Sequence, residues 1–325
     1  MATLYVVEQG ARVEKEYHKL VVTKEDETII AVPAIKVSSV VLVGNVGVTT
    51  PAIAFLLDQG IPLVYLTTLG KLRGRLVGAT PLNIALRQTQ YEKMKDATFA
   101  LGISRAVVEG KLTNYRTLAQ RWGRERGGEH FRSAAEALAT HIGAVTSAAN
   151  LAALRGVEGA GSKVYFGALR AALRGEWSFE KRARRPPPDP VNALLSLGYT
   201  LLGENIASAL EIVGLDPYAG FAHVDRPGKP SMTLDAIEEF RQPVVDRTIL
   251  GLVNKGVKIG QDERGYLTEE TRKMLAEKVL NRLETPEMYE KKNVPLRVII
   301  QSQARHLATF LRGEREAYRA FVMEW

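Results

Sequence analysis

Residues 76–83, LVGATPLN, divide the chain into two hydrophobic regimes. Before them, short runs rich in Val and Ile recur between Gly, Pro and charged turns: LYVV at 4–7, KLVVT at 19–23, TIIAVP at 28–33, VSSVVLVG at 37–44, PLVYL at 62–66 and GRLVGA at 74–79. β-Branched side chains fit a pleated, half-buried surface, so these runs read as strands. One interruption, TTPAIAFLLDQG at 49–60, offers Thr49 or Thr50 as a cap, Pro51 in the first turn and Gly60 past the end, and predicts a helix. After Gly78 the apolar residues recur about every 3.6 positions through long segments such as 83–110 and 131–156, and the remainder reads as nearly all helix. Gly78 and Pro81 punctuate the change. The expected fold is α+β with two domains: an N-terminal β-rich domain at 1–79 and a mostly α-helical domain at 80–325.

A length of 325 residues gives each part enough chain to bury its own core. The 44 Lys and Arg against 36 Asp and Glu leave a net charge of +8, which lowers the free energy of polyanions near the surface and makes nucleic acid the first candidate partner. There is no cysteine, which excludes disulfides, thiol nucleophiles and Cys-rich zinc sites. No run approaches 18 uninterrupted apolar residues and the start lacks a signal-peptide core, so no membrane role is expected and the protein reads as cytoplasmic.

Inside the helical part, residues 175–199 read GEWSFEKRARRPPPDPVNALLSLGY. A basic run followed by three prolines cannot be helical, so it must be a loop feeding a helix that starts near Val191. Lys181, Arg182, Arg184 and Arg185 are candidates to track a DNA backbone, with a solvated linker as the plain alternative. Asn192 is placed to cap that helix or to hold a site residue.

Four histidines, His18, His130, His141 and His306, lie among charged or small residues and read as structural or surface groups. His223 differs. It lies in GLDPYAGFAHVDRPGKPSMTLDAIEEFRQP, residues 214–243, in a loop that precedes a helix carrying Asp235, Glu238 and Glu239. On an ideal helix, taking Leu234 as zero, Glu238 falls at about 40° on the border of the apolar stripe, Asp235 at about 100° and Glu239 at about 140°. A carboxylate at a buried border needs a metal or a cation. Glu238 is therefore the better ligand candidate, and Glu239 reads as a surface residue whose replacement is expected to be nearly silent. A third carboxylate, Glu158, lies in LRGVEGAGSKVYFGALR at 154–170, where its small neighbours Gly159, Ala160 and Gly161 let another element approach. Read plainly, it is a first-turn acid favoured by the helix dipole. Tyr165, two turns on, either approaches the site or packs in the core. Arg226 and Lys229 flank His223 closely enough to contact phosphate, or are solvated loop charges.

Four stretches, in order, carry a family resemblance: VVLVGNVGVTTPAIAFLLDQGIPLVYLTTLGKLRGRL at 40–76, LRGVEGAGSKVYF at 154–166, RRPPPDPVNALLSLGYTLL at 184–202 and FAHVDRPGKPSMTLDAIEEFRQPVVDR at 221–247. The chain resembles the CRISPR-associated adaptation integrases, the Cas-one family. The resemblance implies a homodimer that joins a small companion, Cas-two, and inserts short double-stranded DNA fragments into a CRISPR array. It also implies one Mg²⁺ or Mn²⁺ site, which carries over onto Glu158, His223 and Glu238, with Asp235 as a further candidate. Carboxylate oxygens suit both ions and an imidazole favours Mn²⁺. The implied reaction is phosphodiester transesterification or hydrolysis, with a DNA 3′-hydroxyl or water as nucleophile. Two other readings compete: a catalytically inactive DNA-binding scaffold of the same fold, and a metal-dependent phosphohydrolase acting on small molecules.

Overall fold

In the computed structural model the described residues are 2–68, 72–78, 84–183, 187–223 and 227–324. The N-terminal part is built from strands, as expected. Strands β1 (Ala2–Val6), β2 (Arg12–Glu16), β3 (Lys19–Lys24), β4 (Glu27–Pro33), β5 (Val37–Val43), β6 (Gly47–Val48), β7 (Leu63–Leu66) and β8 (Leu72–Leu76) form two four-stranded sheets. The first has the order β1-β5-β7-β8, parallel except for β8, and the second the order β4-β3-β2-β6. Helix α1 (Thr50–Asp58) joins β6 to β7, capped by the Thr49 side chain with Pro51 in its first turn.

The near-continuous apolar run of β5 has a physical reason in the two faces of its sheet. Val40, Leu42 and Leu63 point into a small core with Val13, Leu20 and Leu56, whereas Val41, Val43, Val64 and Leu66 point the other way into the core of the helical part. A sheet covered on both faces needs apolar residues at every position. The first sheet is thus a shared wall between the two parts. Charged ties flank it: Arg75 of β8 lies 2.5 Å from Glu204 and 3.1 Å from Glu211, and Glu8 pairs with both Lys24 and Lys273.

The helical part runs α2 (Ile84–Lys95), α3 (Ala97–Arg126), α4 (Glu129–Val145), α5 (Leu151–Ala172), α6 (Pro190–Ile212) and α7 (Ser231–Ala236), then α8 (Arg247–Asn254), α9 (Glu269–Glu284) and α10 (Leu296–Leu311). Asp96 caps α3, Asn150 caps α5 and Asp189, with Pro190 next to it, caps α6. Helix α6 is apolar on nearly every face and forms the axis of the core. The reading of this half as nearly all helix overlooked a hairpin, β9 (Pro286–Tyr289) and β10 (Lys292–Pro295), turned by Glu290 and Lys291 with φ of 49° and 64°. That turn lacks the Gly or Asn that signals a left-handed pair, so nothing in the local sequence flags it.

A second difference concerns the acidic segment. After α7 the backbone tightens to a 3₁₀ turn over Ile237–Glu239 and then widens to a π-helix over Arg241–Asp246. Ideal helical phase fails there, and the irregular C-terminal residues cover the face assigned to solvent. Glu239 is not a surface residue: it is 0% exposed. It accepts hydrogen bonds from Gln303 Nε2 and the Phe321 N–H, each at 2.7 Å, and from the Tyr318 hydroxyl. Asn114 of α3 adds a second clasp, donating to the carbonyls of Glu239 and Phe321 and accepting from the Met323 N–H.

The expectation of a silent Glu239 replacement is therefore overturned. Glu239→Ala should cost about 1–3 kcal/mol for each buried donor left unmet. Burial pushes this carboxyl from its ordinary 4.5 up to about 7, although Tyr318, Phe321 and Gln303 pull it down. A proton held more tightly in the folded state gives stability that is lost as pH rises through that window. Relative to Glu239→Gln, the wild type should lose about 2 kcal/mol between about pH 5 and about pH 8. Urea denaturation of both proteins at the two pH values measures this.

Candidate functional site

Two of the carboxylates singled out in the sequence meet at one cation. Glu158 sits two turns into α5, where Gly161 faces α3 so closely that a Cβ would overlap Leu112 Cδ2. That approach brings Glu158 to Lys111, the residue before Leu112. The Lys111 ammonium contacts Glu158 Oε1 and lies 2.8 Å from Glu238 Oε2 in the 3₁₀ turn. Ser162 Oγ also donates to Glu158 Oε1, at 2.9 Å. The lysine is 6% exposed and belongs to none of the motifs quoted above. Only its place in an otherwise apolar stripe of α3, between Val107 and Leu118, marks it in the sequence.

Glu238 has a second cation. Arg241 Nε lies 3.1 Å from Glu238 Oε1, and the guanidinium stacks 4.4 Å from the centre of the Tyr199 ring. Burial alone would raise the Glu238 carboxyl, but Arg241 and then Lys111 outweigh it and hold it at about 2. Burial would likewise lower Lys111, and Glu238 first among its neighbours keeps the ammonium well above the usual range. The four groups alternate in sign and sum to zero. Asp246, at the end of the π-helix, fixes the tyrosine beneath Arg241: it accepts from Tyr199 at 2.6 Å and from Tyr165 at 2.7 Å. Burial pushes the Asp246 carboxyl up to about 6.

His223 is organised separately, by Asp235. One Asp235 oxygen accepts from the Phe221 and Ala222 N–H groups at 2.6 and 2.9 Å, and the other accepts from the His223 N–H at 3.1 Å and meets His223 Nδ1 at 2.6 Å. Both oxygens of Asp235 are thus taken by the loop. With Nδ1 donating to the carboxylate, Nε2 is the imidazole's free acceptor. Gly220 lets this loop close against α7, since a Cβ there would collide with the Ser231 and Met232 backbone.

Among the described residues, no three His, Asp or Glu side chains stand close enough to enclose an ion. The structure brings Glu158 and Glu238 together and leaves His223 apart from them. The carboxylate pair fits a metal cation by a direct observation: it already converges on a positive charge, and the Lys111 ammonium stands in for one.

The pair opens into a cleft of about 560 Å³ whose wall includes Lys163, Phe166, Arg170, Lys181 and Arg182. Lys181 is exposed there, as a backbone-tracking residue requires. Arg182 is half-buried, donating to Asn192 Oδ1 at 2.9 Å and Ser196 Oγ at 3.0 Å. Two other candidates are placed differently. Tyr165 is 0% exposed and stacks 3.8 Å from the Tyr115 ring, so core packing holds and direct DNA contact does not. Asn192 is also fully buried and holds residues 181–183 through the Lys181 carbonyl and the Ala183 N–H. Lys229 lies in the loop before α7, and Arg184, Arg185 and Arg226 fall outside the described residues.

The role of Gly161 gives a paired test. Gly161→Val should cost about 1–3 kcal/mol through overpacking against Leu112. Gly159→Ala, at a position with nothing within 4 Å of an added Cβ, should instead stabilise by about 0.5–1 kcal/mol. Thermal denaturation of the two variants separates a glycine required by close packing from a free one.

Comparison with known proteins identifies the family of the chain. The sequence profile of the family described as CRISPR associated protein Cas1 matches residues 4–281. A CRISPR-associated exonuclease Cas4/endonuclease Cas1 fusion of Rhodospirillum rubrum is 38% identical over 331 residues, covering 97% of this chain but 56% of the fusion, so the chain spans little more than half of that relative. CRISPR-associated endonuclease Cas1 1 of Thermus thermophilus is 38% identical over 331 residues, covering 99% of each. Among solved structures, a casposase bound to integration product superposes with a TM-score of 0.84 at 22% identity, covering 98% of this chain and 93% of that one. A Cas6-RT-Cas1–Cas2 complex does so at 0.80 and 24% identity, covering 98% of this chain and 36% of that one. These two likenesses concern the fold. On the profile match and the full-length relatives, the chain belongs to the Cas1 family of CRISPR-associated proteins.

Proposed function

We propose that this protein is a divalent-metal-dependent DNA endonuclease and integrase of CRISPR adaptation, which joins short duplex fragments to a CRISPR array by transesterification. The observation that carries the reading is the convergence of Glu158 and Glu238 on one cation at the floor of a basic cleft. Mg²⁺ or Mn²⁺ held by Glu158 and Glu238, with His223 Nε2 as third donor, would supply polarisation of the attacked phosphate and stabilise charge on the attacking and leaving oxygens.

The chain's own groups have separate tasks. Asp235 fixes the His223 ring and its tautomer. Arg241, itself held by Tyr199, keeps Glu238 ionised at any working pH. Lys163, Arg170 and Lys181 line the approach and suit the phosphates of a duplex. Arg184, Arg185, Arg226 and Lys229 extend this basic set in the sequence.

The partners follow from family and surface. A homodimer formed through the N-terminal part would cover Tyr17, Ile29, Ile30 and Ile35, which are exposed on β4, in the β2–β3 turn and just after β4. Cas2 is the proposed companion, as in the complex named above. Action in the cytoplasm accords with the substrate, and among the described residues no helix is long and apolar enough to cross a membrane. The separation of His223 from the carboxylate pair favours one alternative, a catalytically inactive DNA-binding scaffold.

Incorporation of a labelled short duplex into a plasmid bearing a CRISPR repeat, with Mn²⁺, Mg²⁺ or EDTA and with or without Cas2, decides between them. Joining should require metal. His223→Ala and Glu238→Ala should each abolish it while leaving duplex binding largely intact, and Asp235→Asn should lower it by about 10–100-fold. Tight DNA binding with no joining under any metal would select the scaffold.

A further inference from the structure

Lys111 reaches the site from a helix that contributes no other charged group to it. Its side chain is 8% exposed, touches both carboxylates and lies 5.6 Å from the centre of the Tyr115 ring. The contacts to Glu238 are of an unusual kind. Glu238 Oε2 and Arg241 Nε are both buried without a hydrogen bond of acceptable geometry, although each has an opposite charge within ion-pair distance. Glu238 is thus neutralised by its two cations, and the oxygen that faces Lys111 is the one a metal ion would need. A metal ion bound to both carboxylates at about 2.0–2.6 Å would take the space and the charge that the ammonium now fills. Both cations cannot contact the same two oxygens.

Resting on the reading of Glu158 and Glu238 as metal ligands, we infer that Lys111 is the resident counter-cation of the metal site: it holds the two carboxylates together before metal binds, must leave when metal arrives, and thereby sets the metal affinity. Lys111 is a positioning residue in this scheme. It allows α3, α5 and the 3₁₀ turn to bring the partly exposed Glu158 beside the buried Glu238 without leaving the two like charges uncompensated. The same competition makes the site selective, because only a divalent cation with enough charge to displace the ammonium enters it.

The test is a Mn²⁺ titration of the 325-residue chain, followed by electron paramagnetic resonance of the free ion, on wild type, Glu238→Gln, Lys111→Met and Lys111→Arg. Wild type should bind Mn²⁺ and Glu238→Gln should weaken it. Lys111→Met should bind Mn²⁺ more tightly by about tenfold or more, and Lys111→Arg, which keeps the competing charge, should stay near wild type. A purely structural lysine would lower stability in Lys111→Met without raising affinity, so equal or weaker Mn²⁺ binding by that variant overturns the inference alone. Wild-type Mn²⁺ binding that is absent or indifferent to Glu238→Gln overturns the metal reading beneath it as well. If Lys111→Met fails to fold, nuclear magnetic resonance of wild type with ¹³Cε-labelled lysine answers the same question. The signal that Lys111→Arg removes should move when Mg²⁺ saturates the site, and a signal that stays in place overturns the inference.

Discussion

Glu158, partly exposed, and Glu238, buried, are carried by different helical segments and converge on one cation, and the geometry of the site depends on what cancels their charge. A buried carboxylate loses hydration and is repelled by a like charge beside it, so Glu238 is stable next to Glu158 where cations are built in. Lys111 from α3 and Arg241 from the π-helix supply them. Removing one partner from such a buried set commonly costs about 3–5 kcal/mol, because the opposite charge stays buried with nothing to neutralise it. The close approach of α5 to α3 at Gly161, the stacking of Arg241 on Tyr199 and the anchoring of that tyrosine by Asp246 all serve this balance.

The backbone of the acidic segment is shaped by the same demand. An unbroken α-helix from Ser231 to Asn254 would present carboxylates one turn apart along a single face. The 3₁₀ turn and the π-helix instead aim Glu238 at Lys111 and Arg241, Glu239 at the C-terminal residues and Asp246 at two tyrosines. Local departures of this kind cost backbone energy and persist where side-chain partners over-determine them, which is why π-bulges concentrate at functional sites.

Around this centre the fold is a rigid frame with a mixed wall. The β1-β5-β7-β8 sheet belongs to both cores at once, and Arg75, Glu204 and Glu211 lock its edge to α6. The Glu239 and Asn114 clasps bind the C-terminal residues to α3 and α10. Helix α3 therefore carries Lys111 and Asn114 within one turn of each other, so the site and the tail are built on one element.

Much of this was legible in the sequence. The period change near Gly78, the Thr49 cap of α1, the Val and Ile strands and the candidacy of Glu158 and Glu238 follow from local pattern, because propensity, capping and amphipathic period act over a few residues. Other features were not legible. Lys111 looks like any lysine in a long helix, Glu239 faces solvent on an ideal helical wheel, and Tyr165 sits at a spacing that suits either site or core. Each was decided by which distant segment covers it: α5 and the 3₁₀ turn for Lys111, the C-terminal tail for Glu239, and Tyr115 with Asp246 for Tyr165. The sequence by itself determined the change from strands to helices and which carboxylates were candidates, whereas the β9–β10 hairpin and the 3₁₀ and π segments left no local signal. Only the tertiary structure decided which charges are buried and what neutralises them, because the cost of a charge depends on its whole surroundings and not on its neighbours along the chain.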